Sequence, residues 1–218
     1  MTDSFRDELR IVGGHPALDL VNTVTPRIPG RPDLHDYLRR PTDLLDWSRR
    51  IELVDLGEGE AIAAVWEGAP DLAEKALRAT AEIREATYAV LAPRAGGASA
   101  LPAETSQESV YERLMLRWAA AAARSMLVAR TDGPGVVDLR VGTAPALMIP
   151  DRLVGAAVEL LRTVELRQLR ACPIDDGGCG WLFLDRSRNG SRRWCSMEDC
   201  GTRAKIRKLS ERRRATTV

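Results

Sequence analysis

The residues best equipped for chemistry in this chain are its four cysteines, and all of them fall within one stretch, CPIDDGGCGWLFLDRSRNGSRRWCSMEDC, from Cys172 to Cys200. A thiolate binds Zn²⁺ tightly, and four thiolates complete a tetrahedron that leaves no open position. Two cysteine pairs brought together across an insert are the usual sequence form of such a site. Six residues separate Cys172 from Cys179, fifteen separate Cys179 from Cys195, and four separate Cys195 from Cys200. The first gap is wider than the common two to four residues, but Asp175, Asp176, Gly177 and Gly178 are types that let a turn close it. Two disulfides, or four unrelated buried thiols, would use the same residues. Nothing in the sequence suggests export, and in a reducing cytoplasm cysteine clusters more often bind metal than pair. One structural Zn²⁺ on Cys172, Cys179, Cys195 and Cys200 is therefore the expectation.

The charge pattern adds a second chemistry. The chain carries a net charge of +1, yet residues 186–214 hold eleven Lys and Arg against Glu198, Asp199 and Glu211, a local balance of +8 that leaves −7 for the remainder. A Zn²⁺ on four thiolates adds about −2, which leaves the block strongly cationic. A segregated basic block on a folded module is the electrostatic footprint of a polyanion partner, and a solvated tail is the plainer alternative. DNA is the expected partner, with Arg186, Arg188, Arg192, Arg193, Arg203, Lys205, Arg207 and Lys208 as contacts. Arg203, Arg207 and Arg214 fall along one flank of a helix, and Lys205, Lys208 and Arg212 along the other.

These groups need elements to position them. WLFLD, residues 181–185, is rich in strand formers, and Asn189-Gly190 is a strong hairpin signal. A type I′ turn there pairs Arg188 with Ser191, Arg186 with Arg193 and Asp185 with Trp194. Trp181, Phe183 and Trp194 then share one face, and Leu182, Leu184 and Cys195 the other. Cys200 should open a helix through KIRKLSERRR, where the positive helix end favours a thiolate. Ile206 and Leu209 should face inward, towards the hairpin. A cysteine knuckle, a hairpin and a helix starting at the last ligand together look like a treble-clef finger.

CGWLFLDRSRNGSRRWCSMEDCGTRAK resembles the C-terminal finger of bacterial CGNR zinc-finger proteins, a family regarded as stress-induced transcription regulators. Besides the four cysteines, Trp181, Phe183, Asp185, Ser187, Arg188, Asn189, Arg192, Arg193, Trp194, Ser196 and Met197 are in register with it. One departure is plain: the eponymous Cys-Gly-Asn-Arg reads Cys200-Gly201-Thr202-Arg203 here. GGHPALDLVNTV, residues 13–24, resembles the opening of the helical domain that precedes this finger in the family. The resemblance implies a DNA-contacting finger after a helical sensing or oligomerising domain.

The preceding chain reads as mainly helical, since aromatics make up only 5% of the sequence and alanine and leucine dominate. Arg10 to Val12 reads as a short strand, and Ala17 to Val24 suits a short buried helix. Residues 25–41 read as an exposed loop. Helices follow at 42–51, 58–67 and 70–92, then RAGGASALP as a connection, and a long helix over 103–130 with Val110, Leu114, Trp118, Ala121 or Ala122, and Met126 on its core face. Val136 to Val141 is an expected strand that pairs with 145–149, and Pro150 opens a helix to about Arg170. His15, Asp19, Asn22 and Thr23 share one side of the first helix. They could line a pocket for a small-molecule effector, or form a capping and core-hydrogen-bond cluster.

The expected fold is mainly α with minor β. A helical domain over 1–170 precedes a finger over 171–214 and a tail over 215–218. No nucleophile elbow, phosphate loop, dinucleotide fingerprint or His-based metal motif is present, so no catalysis is expected. No apolar run is long enough to span a membrane, and the N-terminus lacks a signal-peptide core. A cytoplasmic DNA-binding regulator, able to form a homodimer, is the resulting expectation. Its rival is a finger used for protein contacts beside an effector-binding domain.

Overall fold

The computed structural model describes residues 9–28, 30–31, 34–97 and 106–216. Its element order is α1 (Pro16–Val21), β1 (Val24–Thr25), β2 (His35–Asp36), α2 (Pro41–Arg50), α3 (Leu56–Gly68), α4 (Pro70–Leu91), α5 (Gln107–Ala122), β3 (Met126–Ala129), β4 (Val137–Arg140), α6 (Met148–Thr163), β5 (Leu169–Ala171), β6 (Leu182–Leu184) and α7 (Thr202–Thr216). The protein is mainly α with minor β: the described strands form three antiparallel pairs, β1 with β2, β3 with β4 and β5 with β6. It divides into two compact units, one of residues 1–37, 88–100 and 164–218, the other of residues 38–87 and 101–163.

The second unit is a helical assembly. Asp43 anchors the start of α2 by accepting from the Arg40 amide at 2.9 Å. Asp55 and Glu58 cap α3 reciprocally: the Glu58 amide donates to Asp55 at 2.8 Å and the Asp55 amide to Glu58 at 3.1 Å. Glu58 also receives the Arg152 guanidinium at 2.6 Å, which ties α3 to α6. Val110, Leu114 and Ala121 of α5 are buried, as are Leu153, Val154, Ala157 and Leu160 of α6, and the two helices pack on each other. Gly155 permits the close approach, because a Cβ there would meet the Trp118 ring at 3.1 Å. Buried Asp151 takes a two-pronged hydrogen bond from Arg124, at 2.7 and 2.6 Å.

Three expectations for this part of the chain need correcting. The helix expected over 103–130 is α5, which ends at Ala122; Met126 lies exposed in β3 rather than on a core face. The strand near Val136 pairs with β3, not with 145–149. Pro145 instead opens a short 3₁₀ turn that leads into α6, and α6 ends at Thr163 because 169–171 is drawn into a sheet.

The first unit binds the early chain to the late chain. Val12 and its neighbours form no strand, but the Gly13 carbonyl accepts from the Leu184 amide at 2.9 Å. Asn22 is fully buried and bonds both backbone groups of Leu182, donating to its carbonyl at 2.8 Å and accepting from its amide at 3.0 Å. It acts as a side-chain substitute for a neighbouring strand. The Trp181 indole donates to Val24 O at 2.9 Å, and the Arg27 amide to Cys179 O at 2.7 Å. Gly180 has φ +76°, and a Cβ there would lie 2.5 Å from the Arg27 carbonyl, so this crossing requires glycine. Residues 25–41, expected as loop, include β2, which pairs with β1 through Val24–Asp36 and Thr25–His35.

Candidate metal centre

The hairpin β5–β6 carries Cys172 and Cys179 on the loop between its strands. Leu169 pairs with Leu184 and Ala171 with Leu182, and the Cys172 amide donates to Trp181 O at 2.8 Å. Turns at Pro173–Gly178 and Ile174–Gly177 close the gap, with amide bonds of 2.8 and 2.9 Å. This is the turn expected from Asp175–Gly178. Cys195 and Cys200 come from the other side, Cys200 within a π-helical turn, Met197–Gly201, that runs directly into α7.

The four thiols are buried, and their sulfurs all lie within 4.8 Å of one another. Cys179 and Cys195 approach to 3.4 Å, and Cys195 and Cys200 to 3.6 Å. Zn–S bonds of about 2.3 Å in a tetrahedron place the sulfurs about 3.8 Å apart, close to what is seen. A disulfide needs about 2.05 Å, and all four cysteines are free, which removes the paired alternative. Thiols this crowded cannot ionise alike. Hydrogen bonds from Cys179, Cys195 and Cys200 pull the Cys172 thiol down, while bonds to Cys172 foremost push Cys179 and Cys195 up. A dication relieves that conflict by stabilising four thiolates together. The donor set fits one structural Zn²⁺ with no open position for a reactive water.

Arginines form the shell around the sulfurs. Arg203, one helical turn after Cys200, donates to its Sγ at 3.0 Å. Burial works foremost against the Arg203 charge, but the bond to Cys200 and the charges of Cys200, Cys179 and Cys195 together raise its pKa. Arg192 lies over the Phe183 ring at 4.4 Å and donates to Trp194 O at 3.1 Å and to Cys195 O. Arg193 pairs with Asp176, and Arg207 donates to Asp175 O at 2.8 Å. Four of the eight cations expected on DNA thus hold the knuckle itself. Arg186, Arg188, Lys205 and Lys208 are exposed.

The hairpin expected around Asn189-Gly190 is not present. Asp185 accepts from the Ser187 hydroxyl at 2.6 Å, the Ser187 amide at 2.9 Å and the Arg192 amide at 2.8 Å. These bonds, the Ser187 hydroxyl's foremost, hold its carboxyl below the usual range. They fold 186–191 into a local loop, so β6 pairs with β5 and Trp194 lies outside any strand. With no sheet in front of them, Ile206 and Leu209 do not face inward: they are 59% and 54% exposed.

His15, Asp19, Asn22 and Thr23 do come together around α1. His15 Nδ1 caps the helix by accepting from Ala17, Asp19 accepts from the Gly13 amide at 2.7 Å, and the Thr23 hydroxyl donates to Leu20 O at 2.7 Å. Burial raises the Asp19 carboxyl, with the Gly13 amide opposing it. With Asn22 on Leu182, this is the geometry of a cap and core-hydrogen-bond cluster, and none of the four lines the 420 Å³ cleft that opens beside Cys179 and Cys200. Arg203 and Arg207 do line that cleft, together with Asp199 and Tyr37. The shell roles of Arg192 and Arg203 escaped a reading by charge. Only the short spacing of each from a ligand cysteine pointed to them.

Two family models match the chain. Residues 168–213 match the family model of the CGNR zinc finger, and residues 14–164 match that of ABATE, described as "Putative stress-induced transcription regulator". No curated protein matches the chain.

Proposed function

The chain belongs to the ABATE family and carries a CGNR zinc finger, and from that premise we propose that it is a DNA-binding transcription regulator of the cytoplasm. The observation that carries this reading is the position of its free-standing charge. Arg186 and Arg188 on the loop, with Lys205 and Lys208 on α7, are exposed on the very module that the cysteines organise. Knuckle, β5–β6 hairpin and α7 fit a treble-clef arrangement, with α7 as the element offered to phosphates. Bound zinc would supply a cross-link, and with its four thiolates the site would carry a net charge of about −2, which Arg203 offsets in part from beside Cys200. Lys205 and Lys208 then grip phosphates, and Arg186 and Arg188 reach from the loop.

Salt-titrated binding to duplex DNA tests the proposal. Each phosphate contact contributes about 0.9 to the log–log salt slope, so replacing Lys205 and Lys208 by Ala should weaken binding and flatten the slope by roughly 2. Zinc content should stay at one per chain. Unchanged affinity at every salt concentration would refute the assignment.

Exposed Ile206 and Leu209 support a second reading, in which α7 meets an acidic protein whose surface also offers an apolar strip. Salt-insensitive, micromolar-or-weaker binding to DNA, with tight binding to such a protein, would favour it.

A further inference from the structure

The β3–β4 ribbon presents a surface that its own chain leaves open. Its register sets Leu127 opposite Leu139 and Ala129 opposite Val137, so one face is entirely apolar. That face is exposed: Leu127 by 67%, Leu139 by 53% and Val137 by 43%. A two-stranded ribbon alone is marginal in water and gains stability from further strands or cover. Among the described residues this sheet has only these two strands.

The outer edge of β4 is built to receive a strand. The Arg130 amide donates to Val136 O at 3.1 Å, which continues the same register. Antiparallel pairs alternate between bonded and non-bonded, so Val137 and Leu139 turn their N–H and C=O groups outward. Asp138 and Arg140 alternate with them on the opposite face. In an antiparallel pairing of β4 with itself, centred on Leu139, the outward N–H and C=O of Leu139 bond those of its twofold mate. In that register Asp138 lies opposite Arg140 of the second copy, twice over by symmetry. Natural sheet edges usually carry charges that repel a second strand; this edge carries charges that complement their own twofold image.

We propose that β4 is a homodimer edge, at which two copies of the chain join their ribbons into a four-stranded sheet around Leu139. The interface is isologous, as a twofold contact between identical chains must be. The Arg130 guanidinium already pairs with Asp138 within the ribbon, so an acid-to-base change there alters a local bond as well. The test is designed around that.

Sedimentation of full-length, zinc-loaded protein at tens of micromolar should give twice the mass of the 24.0 kDa chain. Asp138→Arg alone and Arg140→Asp alone should each sediment as a monomer, because each sets like charges opposite one another at both symmetric positions. An equimolar mixture of the two variants should restore the dimer, since one chain then offers only bases and the other only acids. Unchanged circular dichroism and zinc content show that each variant folds. A monomeric wild type, a variant that still dimerises alone, or a mixture that stays monomeric overturns the proposal.

Discussion

At the scale of single residues, the arginines beside the sulfurs separate two roles that charge alone merges. Arg203 touches a ligand and Lys205 does not, although both are basic residues of α7. Groups that bond a metal's ligands typically change metal affinity by 10- to 100-fold when removed. Arg203→Ala should therefore weaken zinc retention by roughly tenfold in competition with a chelator, while the Lys205 and Lys208 variants retain zinc normally. Glu58 offers a residue-scale test of pH. The Arg152 hydrogen bond foremost lowers its pKa, so its contribution is present above the ordinary glutamate value of 4.5 and fades as pH falls through the lower folded value. Glu58→Gln should cost about 1 kcal/mol at neutral pH, the upper end for a partly exposed pair. The difference in urea midpoint from wild type should shrink in acid.

At the scale of elements, Asn22 substitutes for a strand. Asn22→Leu keeps the branched shape but leaves the buried amide and carbonyl of Leu182 without partners, at 1–3 kcal/mol for each such group. A loss of about 3 kcal/mol in urea unfolding is expected, and a loss below about 0.5 kcal/mol, the scale of a surface substitution, would show that water replaces the side chain. The elements legible in the sequence are those specified locally. Pro70 at the first turn announces α4, and the four cysteines announce their site by type and spacing. The elements misread are those decided by distant partners. No glycine or proline stops α5 near Ala122; β3 exists because β4 lies beside it. Asn189-Gly190 signals a hairpin, but the three bonds to Asp185 override it. Nor could spacing alone reveal that Asn22 would meet a residue 160 positions away.

At the scale of the whole molecule, the first unit joins the earliest described residues to the finger by bonds from Gly13, Asn22, Val24 and Arg27. Metal removal should therefore disturb more than the finger. Chelation of the full-length protein should raise amide hydrogen exchange in residues 182–184 and also in 13–27, with α5 and α6 unaffected; protection confined to its original pattern would count against the shared unit. No helix among the described residues is long and apolar enough to cross a membrane. The same long-range bonds bear on synthesis. A nascent chain has made α1 and the Gly13 carbonyl long before Leu184 leaves the ribosome, and such non-local closure is slow and exposes unfinished surface. The unit can finish only once Leu184 has emerged, so a message cut short before it would release a product in which residues 13–27 lack the strand they bond, marking it for proteolysis.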